Sequence, residues 1–234
     1  MLHSRVYYHT IHGYFLYMRS EAKGMVINMD KYIITISREY GSGGRHIGEL
    51  LAKEFDIPFY DKEIIHMAAE KSGMSAGFIE KSDESIPNTF LHNLKYSAYS
   101  SYDSISYYDT PVTDKVFVAQ SSVIKELATQ GSCVIVGRCA HYILRNEPDM
   151  VAIFVRGKME DRIRHAVEHY GLPPENAVEK IKRIDKNRIN YYKYYTSRQW
   201  GSIENYDLVV NSSFTGIDGA VAVIKTMLLE RSKE

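Results

Sequence analysis

The sequence predicts an α/β fold, a parallel sheet of about five strands with helices on both faces. Three observations predict it. Short β-branched runs alternate with longer stretches whose apolar residues recur at helical spacing. The runs are apolar on both faces, as strands buried between two helical layers must be. A glycine-rich turn separates the first run from the first helical stretch, and Asp61, Arg138 and Arg156 follow later runs, where such sheets place ligands.

Taken in order, Tyr32-Ile33-Ile34-Thr35-Ile36 is the first strand by its β-branched content. After the turn Glu39-Tyr40-Gly41-Ser42-Gly43-Gly44, the residues Ile47, Leu50, Leu51 and Phe55 make one apolar helical face. Ile57-Pro58-Phe59-Tyr60 reads as a brief second strand ending at Asp61, and a helix is expected over about 62–71. Residues 75–113 are rich in Ser, Asp and Tyr and hold no sustained period. They read as an inserted lobe over the sheet edge rather than core. Val118, Val123, Ile124, Leu127 and Ala128 then mark a helix that stops at Gly131. Cys133-Val134-Ile135-Val136 is the next strand, ending at Gly137-Arg138, and Val151-Ala152-Ile153-Phe154-Val155 follows, ending at Arg156. A charged helix over about 158–170 stops at Gly171, and Pro173-Pro174 opens a long helix carrying Ile181 and Ile184. Leu208-Val209-Val210 is the last strand, and Ile217, Val221, Ile224 and Leu228 form the final amphipathic helix.

Composition narrows the function classes. The 234 residues carry 29 Lys+Arg against 29 Asp+Glu, without the basic excess of a general nucleic-acid coat protein. Hydrophobic residues make up 44%, and with the charges cancelling this argues against disorder. No uninterrupted apolar run reaches the roughly 18 residues of a membrane span. Two cysteines, Cys133 and Cys139, supply neither a disulfide framework nor a four-ligand zinc site. The expectation is a cytoplasmic protein that uses neither nucleic acid nor membrane, with homo-oligomer formation left open. Residues 1–29, rich in Tyr and His near their start, read as a weakly structured extension or a subunit arm, and residues 30–234 as one domain.

The glycine turn is a phosphate-loop candidate. A strand, a glycine-rich turn and a helix together present backbone N–H groups and a positive helix end to an anion. Against the pattern G-x-x-x-x-G-K-[ST], the window Glu39-Tyr40-Gly41-Ser42-Gly43-Gly44-Arg45-His46 keeps the second glycine as Gly44. The lysine is replaced by Arg45, the first glycine by Glu39 and the metal-binding hydroxyl by His46. Ser42 offers another hydroxyl. A tight turn with glycines for close packing is the plain alternative.

The run Ile34-Thr35-Ile36-Ser37-Arg38-Glu39-Tyr40-Gly41-Ser42-Gly43-Gly44-Arg45 resembles the start of the cytidylate-kinase-like proteins. So do Ile57-Pro58-Phe59-Tyr60-Asp61-Lys62, Val134-Ile135-Val136-Gly137-Arg138-Cys139-Ala140 and Tyr206-Asp207-Leu208-Val209-Val210-Asn211. The resemblance covers about residues 32–230. It implies a P-loop NTPase-like three-layer fold with an inserted NMP-binding-type lobe (about 75–113) and a lid (about 183–203). It also implies ATP and Mg²⁺ as cofactors and small-molecule nucleotides as partners. On the resemblance, Arg45 stands where a lysine contacts ATP phosphates, and Arg138 carries over from a Gly-Arg-Asp acceptor segment whose aspartate is Cys139 here. Arg183-Ile184-Asp185-Lys186-Asn187-Arg188 matches an Arg-x-Asp-x-x-Arg stretch of lid and acceptor site. Asp61 matches an aspartate followed in the family by serine, which is Lys62 here.

The candidate site follows. Arg45, Arg183 and Arg188 are the catalytic cations, because arginine forks match phosphate oxygens. Gly41, Ser42, Gly43, Gly44, Arg45 and His46 bind the donor phosphates. Asp61, Arg138 and Asp185 face the acceptor. Arg183 and Arg188 are five apart and share no helical row, so a straight helix cannot aim both at one ligand. Arg162 and Arg164 add charge or form a solvated helix face. No protein ligand set for a metal is visible. Tyr191, Tyr192, Tyr194, Tyr195 and Trp200 stack on a base or pack the lid. Three readings stand: an ATP-dependent nucleoside monophosphate kinase of CMP or dCMP type, a kinase of another small acceptor on the same fold, and a non-catalytic nucleotide-binding regulator.

Overall fold

Ile33, Ile34 and Ile36 are at most 1% exposed, because the strand they form lies in the middle of the sheet. The computed structural model describes residues 31–82 and 112–231. The expected extension 1–29 and most of the expected lobe lie outside the described residues. Strand β1 (Ile33–Arg38) is flanked by β3 (Cys133–Val136) and β4 (Met150–Arg156). Strand β2 (Phe59–Tyr60) lies beyond β3 and β5 (Leu208–Asn211) beyond β4, all parallel. The order β2-β3-β1-β4-β5 reverses direction around β1, so the crevice of this doubly wound sheet opens beyond the carboxyl end of β1. This is the α/β P-loop NTPase-like arrangement.

Helix α1 (Gly44–Phe55) turns Ile47, Leu51 and Ala52 inward and packs beside α8 (Ser212–Arg231). One core cluster holds α2 (Glu63–Ser72), α3 (Ala76–Ser82), α4 (Val112–Gln130) and α5 (Ala140–Ile143) through Ile64, Ile65, Ile79, Ile124, Leu127 and Ala140. Helices α6 (Met159–Tyr170) and α7 (Ala177–Thr196) meet through Ala166, Ala177 and Ile181. The 3₁₀ turns Pro174–Asn176 and Ile203–Asn205 complete the described elements.

Two local readings change. Residues 76–82 were assigned to a lobe outside the core, yet they form α3, and Ile79 is fully buried against Ile64 and Ile65. One apolar anchor in a polar stretch carries no periodic signal. Val118 is 65% exposed, and Val116 takes the inward place. Helix α8 has the length and composition of a membrane span. It nevertheless buries Ala220, Val221, Ile224 and Leu228 in the protein and breaks at Gly216, where φ is 70°.

Candidate functional site

The turn from β1 to α1 is shaped by two left-handed glycines, Gly41 (φ 79°) and Gly43 (φ 77°). Gly43 precedes α1, and its carbonyl accepts the Ile47 N–H at 2.9 Å. A Cβ on Gly41 would lie 2.3 Å from the Arg162 carbonyl oxygen, so both backbone angle and space demand glycine. Gly41→Ala should therefore destabilise the protein by at least about 1–2 kcal/mol from backbone strain alone and weaken binding of inorganic phosphate. Denaturant melts and phosphate titration check this. Unchanged values would mean that the loop tolerates another shape.

The loop is braced from outside by an ion cluster around the buried Arg162. Arg162, 5% exposed, donates from Nε to the Tyr40 carbonyl at 2.8 Å and pairs with Asp185 and with Glu39, the latter at 3.5 Å. Asp185 Oδ1 accepts the Tyr40 N–H at 2.8 Å. Glu39, standing where the phosphate-loop pattern has glycine, accepts the Gly157 N–H at 2.9 Å. The Ser42 hydroxyl donates to the Glu39 carbonyl at 2.8 Å. Glu39, Arg162 and Asp185 thus fix the loop through charge-assisted hydrogen bonds, and no acidic side chain enters the first turn of α1, leaving its positive end to an anion.

On the other side of the loop three strand ends meet. Asp61, 5% exposed, accepts Arg45 Nε at 2.9 Å and Arg138 Nη1 at 3.2 Å. Arg45 also reaches Glu49 at 2.5 Å and lies over the Phe59 ring. Arg138, 3% exposed, leaves β3 through successive residues of positive φ, Gly137 (79°), Arg138 (51°) and Cys139 (55°). Such backbone in non-glycine residues persists where the surroundings enforce it; here the guanidinium is held by Asp61 and by the Val136 carbonyl at 3.3 Å. Arg188 donates to the Arg38 carbonyl at 3.1 Å. Burial alone would raise the Asp61 carboxyl; the charges of Arg38 and Arg138 and the hydrogen bonds from Arg45 and Arg138 outweigh it and hold the group below the ordinary carboxylate value.

These groups line a cavity of about 630 Å³, within the range of small-molecule sites. Arg38, Arg45, Lys62, Arg138 and Arg188 face Glu39, Asp61 and Glu80 there, a cationic surplus suited to a phosphate group. A second cavity of about 290 Å³ lies between Ser42, Arg164, His165, Ser213 and Ile217. Gly41 lines both cavities, so the glycine turn is their common wall.

Gly41, Gly43, Gly44, Arg45, Asp61, Arg138 and Arg188 come together at the larger cavity, and Ser42 lines the smaller one. Asp185 braces the loop instead of facing an acceptor. Arg183 is exposed and lines neither cavity, because α7 runs unbroken from Ala177 to Thr196. His46 is exposed, with its ring 6.4 Å from that of His169. Arg156 is exposed as well. Arg164 is a solvated face residue paired with Asp161, whereas Arg162 is not. Of the aromatic residues after the lid arginines, Tyr191 and Tyr192 pack at 4% and 2% exposed beside Cys139, Phe117, Tyr195 and Trp200, and Tyr194 is exposed.

Several cleft residues were missed. Arg38 ends β1 at the carboxyl edge, where strand position alone could have found it. Glu80 and Tyr170 line the cavity from α3 and α6, and no local spacing announces them. For magnesium, no group of three acidic, histidine or cysteine side chains among the described residues could hold an ion. Asp61 and Glu39 are engaged with arginines and backbone, and the Ser42 hydroxyl with a carbonyl. Among the described residues these donors offer no ready-made cage, and they would suit a magnesium ion carried in on substrate phosphates with its own waters.

The model of the cytidylate kinase-like family matches residues 33–214. A cytidylate kinase of Pyrococcus horikoshii is 25% identical over 201 residues, covering 85% of this chain and 89% of that protein. A cytidylate kinase of Ignicoccus hospitalis is 30% identical over 108 residues, 46% of this chain and 62% of that protein. The crystal structure of an uncharacterised protein from Eubacterium ventriosum superposes with a TM-score of 0.62 at 25% identity, covering 85% of this chain and 98% of that one.

Proposed function

Because the chain belongs to the cytidylate kinase-like family, we propose that it is a phosphotransferase moving the γ-phosphoryl group of ATP to a nucleoside monophosphate of CMP or dCMP type. The observation that carries this reading is the shared wall: one anion-binding turn between a smaller cavity and a larger, arginine-lined one. A donor whose phosphates run along the turn has its nucleoside in the smaller cavity. The acceptor phosphate then meets the donor's terminal phosphate from the larger one.

Phosphoryl transfer asks mainly for alignment and charge neutralisation. An oxygen of the acceptor phosphate attacks the γ-phosphorus in line, the bond to the ADP oxygen breaks, and ADP and a nucleoside diphosphate leave. The acceptor dianion is itself the nucleophile, so no general base is needed. Arg138 and Arg188 are placed to grip it with their forks, and Arg45, about 40% exposed, is placed to exchange the Asp61 carboxylate for a donor phosphate. Bound with ATP, a magnesium ion would supply further neutralisation of phosphate charge. Lys62, in the acceptor wall where the resemblance has serine, favours a second reading, a kinase of a different phosphate-bearing acceptor.

Purified protein with ATP, Mg²⁺ and a panel of acceptors separates the readings. ADP formation dependent on CMP or dCMP is the expected result. Dependence on another acceptor moves the assignment within the fold. ATP binding without turnover on any acceptor overturns it in favour of a regulator.

A further inference from the structure

Asp185, Arg188 and Tyr192 lie three and four apart on α7 and share one face. One turn before Arg188, Asp185 accepts the Tyr40 N–H at 2.8 Å. One turn after it, the Tyr192 hydroxyl lies 3.0 Å from His141 Nε2, and His141 Nδ1 lies 3.2 Å from the Ser37 hydroxyl. Ser37 directly precedes Arg38, whose carbonyl accepts Arg188 Nη1 at 3.1 Å. The chain Ser37–His141–Tyr192 therefore ties the carboxyl end of β1 to the turn of α7 that follows Arg188.

All three members are buried, at 7%, 4% and 2% exposed, and the His141 and Tyr192 rings stack at 5.2 Å. Apolar side chains could fill this volume without hydrogen-bonding demands. A polar chain is tolerable there only when every member is satisfied, and it then specifies one arrangement. Burial, assisted by Arg198, pushes the His141 imidazole down to about 4. At neutral pH the ring thus has one donor and one acceptor nitrogen, and the two hydroxyls can serve either.

We infer that His141 and Tyr192 are positioning residues that fix the register of α7 against β1 and so hold Arg188 at the acceptor phosphate. The inference rests on the phosphotransferase reading of the cleft. A charge-stabilising group loses effect when displaced by about an ångström, which is what a loosened α7 allows.

The test is a double-mutant cycle of the full chain with Tyr192→Phe, Arg188→Ala and both, read as kcat and KM separately. Tyr192→Phe should lower kcat about 10-fold, a loss expected for a displaced catalytic group, with KM for ATP nearly unchanged. In the Arg188→Ala background the same change should cost less than about 2-fold, since the group it positions is gone. Multiplicative losses, or an unchanged kcat for Tyr192→Phe, overturn the inference. If Tyr192→Phe does not fold, Ser37→Ala takes its place in the cycle with the same expectation. If the parent turns over no acceptor, it is the phosphotransferase reading that has failed. The cycle is then read on affinity for inorganic pyrophosphate, where additive losses overturn the positioning role and non-additive losses uphold it.

Discussion

Arg188→Ala should lower kcat on the order of 10²-fold on the best acceptor, the loss typical of removing one charge-stabilising donor. The guanidinium lines the cavity beside Arg38 and Arg138, where the proposed reaction would spread charge over the moving phosphoryl group. A contact that strengthens in the transition state would place the loss on kcat more than on KM. Arg188→Lys recovers part of the rate, because it keeps the charge and loses the fork. The side chain is only 11% exposed and donates to the Arg38 carbonyl. The alanine variant should therefore also lose about 1 kcal/mol of stability with that hydrogen bond, more than a solvated lid arginine would. Steady-state kinetics and denaturant melts measure the two effects apart. Normal turnover by Arg188→Ala would remove it from the site.

Asp61→Ala is expected to have the largest effect on stability, about 3–5 kcal/mol, the usual loss when one partner of a buried ion pair is deleted. The carboxylate is shared by Arg45 and by Arg138, itself 3% exposed. Asp61→Asn keeps an acceptor and removes the charge, so it should lie between parent and alanine. The pH dependence has a definite sign. The folded-state carboxyl is held below its ordinary value, so its contribution is fully present above the unfolded value of about 3.9 and is lost as pH falls through the folded value. Urea melts at pH 7, 4 and 3 should show the gap between parent and Asp61→Asn closing toward the acid end. A gap that stays constant would mean that the folded-state carboxyl is not shifted, and one that widens toward acid would mean that it is raised instead of lowered.

The interior of this fold was legible because its strands are short, mostly apolar and β-branched runs. Ile33 to Ile36 and Cys133 to Val136 read as buried parallel strands, and the ends of the second and third strands named Asp61 and Arg138 directly. The loop was legible through Gly41 and Gly43, which need positive φ. Arg162 and Asp185 were misplaced for one reason. Their partners, Tyr40 and Glu39, are more than a hundred residues away in sequence, and helical charge spacing looks the same on a solvated face as under a loop. Arg183 failed because motif matching fixes spacing but not azimuth, and the unbroken α7 turns it to solvent. His141 and Tyr192 gave no signal, since a buried hydrogen-bonded histidine and a packed tyrosine read alike until the third partner, Ser37, is brought beside them.

Phosphorus NMR of the intact protein with ATP, Mg²⁺ and CMP tests the central claim most directly, because it identifies both products. The account predicts that ADP and CDP resonances rise together in equal amounts, and that neither appears when CMP is omitted. ATP converted to ADP with inorganic phosphate in place of CDP, or ATP left intact with every nucleoside monophosphate tried, would contradict it.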